Sequence, residues 1–181
     1  FMSSSEEYYI KSKKATGFIK NYAGGQYSFA AILPKESVDI YDLIDSLDGD
    51  SLLDLLSSKK ECKVSAKLPE FEYDYEINLN DALMAMGINA AFNDDNADFS
   101  DLGTSPLGNI YISGVLHKTH IEVTQSGTRA AAVTVEYLCG SAPSLELEKI
   151  YTVTLDRPFI YCIIDNETNL PVFMGVITNI D

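Results

Sequence analysis

The side chains in this chain that most readily do chemistry are two histidines, three cysteines and one acidic run, and their spacing builds no reactive centre. His117 and His120 sit at odd spacing in a stretch that reads as a strand, so they point to opposite faces and do not share a metal. Cys62, Cys139 and Cys162 are odd in number and far apart, which indicates neither a disulfide framework nor a zinc ribbon. Cys62 and Cys162 read as small buried apolar residues, the usual fate of a free cysteine. Asn93-Asp94-Asp95-Asn96 could pass for a calcium loop. It lacks the central glycine and terminal glutamate of an EF-hand, so it reads as a solvated loop. No phosphate-cradling loop, nucleophile elbow or dinucleotide fingerprint is present. The expectation is a protein without metal or cofactor, and not an enzyme.

What remains is a segment whose chemistry is mechanical. Gly127-Thr128-Arg129-Ala130-Ala131-Ala132-Val133-Thr134-Val135 is small-sided and carries one charge. As a strand it puts Thr128, Ala130, Ala132 and Thr134 on one face and Arg129, Ala131, Val133 and Val135 on the other. The first face is small enough to enter a crowded core, while the second can carry Arg129 to solvent. Gly127 can swivel, because it has no Cβ to restrict its backbone. Taken alone, the segment reads first as an ordinary edge strand, since alternation over this length is common.

The elements around it are mostly strands. Tyr8-Tyr9-Ile10, residues 16–22 and residues 27–33 are β-branched and aromatic, and Ala23-Gly24-Gly25-Gln26 marks a hairpin turn. Residues 37–58 switch to helical spacing and divide into two short helices, with Ser37 and Asp50 as expected N-caps. Residues 60–77 alternate again, with Pro69 suggesting a bend. Residues 80–87 read as a helix capped by Asn80 and ended by Gly87. Residues 110–124 and 150–155 read as strands. The near-continuous apolar runs 159–164 and 171–178 read as a buried hairpin. The sum is an α+β fold with mainly antiparallel sheets and a few short helices. The 181 residues are 46% hydrophobic and carry a net charge of -14, which repels nucleic acid and anionic membranes. No apolar run approaches the roughly 18 residues of a membrane span. Residues 1–7 show no signal-peptide pattern.

Several motifs then occur in order. Asp156-Arg157-Pro158-Phe159-Ile160-Tyr161-Cys162-Ile163-Ile164-Asp165 and Leu170-Pro171-Val172-Phe173-Met174-Gly175-Val176-Ile177 resemble the C-terminal signature of the serpins, a family of serine protease inhibitors. Residues 27–34, Leu68-Pro69-Glu70-Phe71, Gly114-Val115-Leu116-His117-Lys118 and the run from Gly127 to Ala132 are similar to further stretches of that family, the last of these to its hinge. The resemblance covers nearly the whole chain. It implies the C-terminal portion of one serpin domain over residues 1–181, with the reactive-centre loop at about residues 125–150. The missing part would be N-terminal and would hold most of the large helices, several strands and any signal peptide.

The resemblance further implies a metastable suicide substrate. In that family the loop is bait: a protease serine attacks one bond, and the cut loop inserts into the main sheet and traps the acyl-enzyme. The hinge would be Gly127, Thr128, Arg129, Ala130, Ala131 and Ala132, and His117 matches the family's sheet-gating histidine. The resemblance, through the family's distance from hinge to reactive bond, implies a reactive bond at Ser141–Ala142, which suits an elastase-like or subtilisin-like protease with a small apolar pocket. The distal stretch is longer than usual, so Tyr137 or Leu138 (chymotrypsin-like targets) and Lys149 (trypsin-like) stay open. Cys139, beside the bait, reads as a passive loop residue or a redox-sensitive thiol. Three residues depart from the family pattern. Gln125 and Glu70 replace an expected salt-bridged glutamate and lysine, and Glu136 falls on the inward face of the inserting strand. The implied partners are a target serine protease and the N-terminal half of the same serpin, outside the cell or on its surface. Two other readings are a non-inhibitory serpin that binds or stores, and an unrelated secreted β-rich interaction domain.

Overall fold

The computed structural model describes residues 1–124 and 149–180. The chain divides into two compact units. One comprises Phe1–Phe71 with the residues from Val123 onward, and the other comprises Glu72–Glu122.

The first unit holds a seven-stranded sheet in the order β7-β4-β1-β2-β3-β8-β9. Its strands are β1 (Met2–Lys11), β2 (Ala15–Asn21), β3 (Tyr27–Pro34), β4 (Lys60–Leu68), β7 (Tyr151–Thr154), β8 (Phe159–Asp165) and β9 (Pro171–Ile177). Neighbours are antiparallel except β4 and β7, which pair in parallel from Val64↔Tyr151 to Lys67↔Thr154. The β2–β3 turn is the expected one. Gly24 and Gly25 have φ of 90° and 71°, and Tyr22 N–H donates to Tyr27 O at 3.0 Å. The β8–β9 turn holds that hairpin from the side: Asn166 Nδ2 donates to Gly25 O at 2.8 Å, and the buried Ser28 hydroxyl donates to Asn166 Oδ1 at 2.8 Å.

Both faces of this sheet are covered, which explains the unbroken apolar run of β8. Ile10, Ile19, Ala30, Ile32, Ile160, Cys162 and Ile164 pack against helices α1 (Ile40–Ile44) and α2 (Gly49–Ser57) through Leu43, Leu52 and Leu56. On the opposite face Phe71 meets Phe159 and Tyr161, at 6.1 Å and 5.6 Å between ring centroids. The helix starts differ from those expected. Asp39 caps α1 through Tyr41 N–H, and Asp48 caps α2 in a reciprocal box with Ser51, so neither Ser37 nor Asp50 is the cap. In each case the capping aspartate lies in extended backbone just before the first turn, where its oxygen reaches a free N–H.

The second unit holds a two-stranded sheet of β5 (Phe71–Asn78) and β6 (Leu116–Val123), with helix α3 (Asn80–Ala85) and a short 3₁₀ turn at Ala90–Phe92. Pro69 therefore marks a division between β4 and β5, which belong to different sheets, and not a bend within one strand. Residues 110–115 are not strand. Asn80 does not cap α3; its side chain receives Val115 N–H at 2.9 Å and donates to Ser113 O at 3.2 Å, tying down the lead-in to β6. The acidic loop is tied to itself, with Asn93 Oδ1 accepting the N–H groups of Asp95 and Asn96. Among the described residues, no helix is long and apolar enough to cross a membrane.

Candidate functional site

The hinge residues Gly127, Thr128, Arg129, Ala130, Ala131 and Ala132 and the bond Ser141–Ala142 lie outside the described residues, as do Gln125, Glu136, Tyr137, Leu138 and Cys139. The structure describes the strands on either side of them.

Upstream is β6. Ile121 and Val123 are buried, while Lys118, His120 and Glu122 alternate with them and are exposed. Partners on β5 match this alternation. Lys118 Nζ lies 2.6 Å from Glu76 Oε2, and His120 Nδ1 lies 2.8 Å from Asp74 Oδ1. With Leu79 N–H donating to Val115 O, these pairs run in the opposed order of an antiparallel ladder. The hydrogen bond to Asp74 is the main cause that raises the His120 pKa above its ordinary 6.5; the charges of Asp74, Glu72 and Glu122 add to it, against a smaller desolvation. His117 is also on β6, at odd spacing from His120 and exposed. Glu70, between β4 and β5, is exposed. Among the described residues, no group of three or more His, Cys, Asp or Glu is placed to hold a metal ion.

Downstream is β7, one of the two edge strands of the seven-stranded sheet. Its backbone pairs with β4, the Leu155 N–H donates to Lys67 O at 2.9 Å, and Val153 and Leu155 are buried. The Tyr151 ring stacks on Tyr9 of β1, with centroids 4.3 Å apart and planes 19° from parallel. The ammonium of Lys149 stands 5.1 Å above the same ring. Tyr9 is 8% exposed, and its hydroxyl pKa is pushed up by burial first, then by Tyr151 and Cys62. Cys62 is half-buried here, not fully buried as expected. Cys162 is fully buried in β8, with its thiol pushed up to about 12 by that burial.

Reading the sequence singled out none of Tyr9, Tyr151 or Asp74. For Asp74 a signal existed: Glu72, Asp74 and Glu76 alternate on β5, and Lys118 and His120 alternate on β6. For the tyrosine pair there was none, because the two rings meet only through a strand order that places β4 between β1 and β7.

A family model described as Serpin (serine protease inhibitor) matches residues 1–180. The chain belongs to the serpin family. It is 33% identical over 175 residues to Serpin B10 of Sorex araneus, covering 94% of this chain and 42% of that serpin. Among solved serpin structures it resembles a thermophilic serpin, Tengpin, in its native state at a TM-score of 0.86 and 46% identity, covering 98% of this chain and 45% of that one. The latent state of Tengpin matches with a TM-score of 0.81 and 40% identity, covering 99% and 46%. The chain thus spans somewhat under half the length of these serpins. The serpin fold expected from the sequence, mainly antiparallel sheets with a few short helices, is the fold observed.

Proposed function

We propose that the full-length protein containing this chain inhibits serine proteases as a suicide substrate. The observation that carries this reading is the small-sided run from Gly127 to Ala132, which follows β6 in sequence in a serpin chain. The protease serine attacks the Ser141 carbonyl, the Ala142 amine leaves, and Ser141 stays esterified to the enzyme. The freed segment from Gly127 then becomes a sheet strand beside β6. His117 gates that sheet, and the N-terminal portion of the protein supplies its other strands.

The downstream geometry favours an upstream bond over one at Lys149. A protease cleft grips extended backbone on both sides of the bond it cuts. After Lys149, residues Tyr151–Thr154 are already paired with β4, and the Lys149 ammonium lies over the Tyr151 ring. Cleavage there would first have to undo β7. Ser141–Ala142 is free of that requirement in sequence position, and its small side chains fit elastase-like or subtilisin-like pockets.

The test is to mix the full-length protein with pancreatic elastase and with subtilisin, followed by denaturing gel electrophoresis. The expected result is a covalent complex, with release of the peptide beginning at Ala142. Simple cleavage without a complex would favour a non-inhibitory serpin that binds or stores. The present chain without its N-terminal portion should give no complex.

A further inference from the structure

We infer that Asn166 is an acceptor for N-linked sugar that folding closes, so that a sugar on its amide and the native joint between the β2–β3 and β8–β9 turns exclude each other. Asn166-Glu167-Thr168 is the chain's one Asn-x-Ser/Thr motif. By sequence alone such a motif reads as a modified surface loop of a secreted protein. The motif does lie in the turn between β8 and β9, with Glu167 and Thr168 exposed. Its asparagine, however, is already spoken for.

Three groups of Asn166 are engaged. Its backbone N–H donates to Gln26 O at 2.9 Å, its Nδ2 donates to Gly25 O at 2.8 Å, and its Oδ1 accepts from the Ser28 hydroxyl at 2.8 Å. A carbonyl oxygen only accepts, so Nδ2 must face Gly25 and the amide cannot be turned end for end. Ser28 is fully buried and also lies 2.8 Å from Oδ1 of Asn21, its register partner on β2. The amide thus joins the ends of β2, β3 and β8. Sugar transfer from a polyprenyl diphosphate-linked oligosaccharide forms a bond from the sugar C1 to Nδ2. It breaks the C1–O bond, the diphosphate leaving with the electron pair, and it removes one amide proton. The product is a secondary amide, whose substituent lies on the side of the carbonyl oxygen. A sugar there displaces Ser28 from Oδ1 or swings Nδ2 away from Gly25 O, and the joint opens in both cases. The third residue of the motif is committed as well. The Thr168 hydroxyl donates to Asp165 Oδ1 at 3.1 Å, the same oxygen that accepts the N–H groups of Glu167 and Thr168. The folded protein therefore carries a bare amide at Asn166, and only the unfolded chain offers an acceptor. The expected location outside the cell has to be reached by a route that leaves this asparagine unmodified.

The experiment makes the full-length protein in a eukaryotic secretory host that transfers such sugars, alongside Thr168→Ala, which removes the motif. Mass spectrometry of the peptide holding Asn166 reads the sugar in two pools, secreted and protease-resistant or retained and protease-sensitive. The sugar should be confined to the retained pool, and Thr168→Ala should move protein from that pool to the secreted one. Secreted protein that carries the sugar, and unfolds at the same midpoint as protein from a bacterial host that adds none, overturns the inference. So does a Thr168→Ala variant that leaves a sugar-bearing retained pool undiminished. If neither pool carries sugar, Ser28→Ala decides. Loosening the joint should turn Asn166 into an acceptor, and a bare Asn166 in that variant overturns the inference. The joint itself is read on the bacterial product by denaturant unfolding. Asn166→Asp keeps the acceptor for Ser28 and loses the donor to Gly25. It should raise the unfolded-to-folded ratio about tenfold, the scale of one or two lost hydrogen bonds; an unchanged midpoint overturns the joint. These readouts stand whether or not the protein traps a protease.

Discussion

The guanidinium of Arg157 grips the Pro34 carbonyl oxygen with two donors, Nε at 3.2 Å and Nη2 at 2.8 Å, while its Nη1 donates to Asp156 Oδ1 at 2.9 Å. Pro34 is the last residue of β3, and Arg157 lies in the turn that carries the chain from β7 to β8. The fork therefore fixes where the downstream segment re-enters the sheet. Arg157→Ala should lower stability by about 2 kcal/mol, the scale of a charged hydrogen-bond pair. Arg157→Lys should recover only part of this, since an ammonium cannot reproduce the planar fork. Denaturant unfolding of the full-length variants measures both.

Gly175 of β9 lies against the ring of Tyr161 on β8, its register partner. A Cβ at Gly175 would collide with the phenol end of that ring, with Cζ 2.6 Å away. The ring has little room to yield, because it stacks on Phe29 and Phe173 at 6.2 Å each. Gly175→Ala should cost about 1–3 kcal/mol through overpacking, read as a lower unfolding midpoint. Tyr161→Leu in the Gly175→Ala background should restore part of the loss.

The His120–Asp74 pair predicts a pH dependence. Its folded-state pKa is raised above 6.5, so the protonated ring is bound more tightly in the folded protein than in the unfolded chain. The contribution is complete below 6.5 and fades as pH rises through the raised folded value. The pair is exposed, so the effect on stability is small, and the direct measurement is the His120 titration by NMR. Asp74→Asn should bring that pKa back toward 6.5, and the stability difference between parent and variant should vanish at higher pH. An unshifted titration would refute the pairing.

Thr128→Arg tests the hinge. On the proposed insertion, an added charge at Thr128 would have to be dragged into a sheet interior, slowing insertion enough for hydrolysis to win. The expected outcome is cleavage with little or no covalent complex on a denaturing gel. A complex in parental yield would mean that this residue does not enter the sheet.

Much of this architecture could be read from local pattern. The Gly24-Gly25 turn, the buried run of β8, the helical switch after residue 37 and the burial of Cys162 all follow from signals a few residues wide. The apolar run of β9 misled: it was expected to be buried, but Val172 and Met174 are exposed and within the strand only Ile177 is buried. Other features were not legible. Met2–Ser5 is too polar to suggest a strand, yet it pairs in register with Leu68–Ser65 because β4 needs a neighbour there. The capping aspartates were missed because several Ser and Asp residues stood within reach, and only backbone geometry chooses among them. Cys62 was expected inside because alternation along β4 puts it on the face of Val64, but it is only half-buried, two residues before the first buried position of that strand.

From its residues alone, this chain declared a serpin-like order of strands and a small-sided segment suited to insertion, because strand period and side-chain size are written in single residues and their immediate neighbours. The folded molecule alone decided that β7 runs parallel to β4 and brings Tyr151 onto Tyr9, and that β5 and β6 set Asp74 against His120. The physical reason is that pairing between remote strands is chosen by which faces must be buried together. That choice is made by the whole core at once, and no short stretch of sequence contains it.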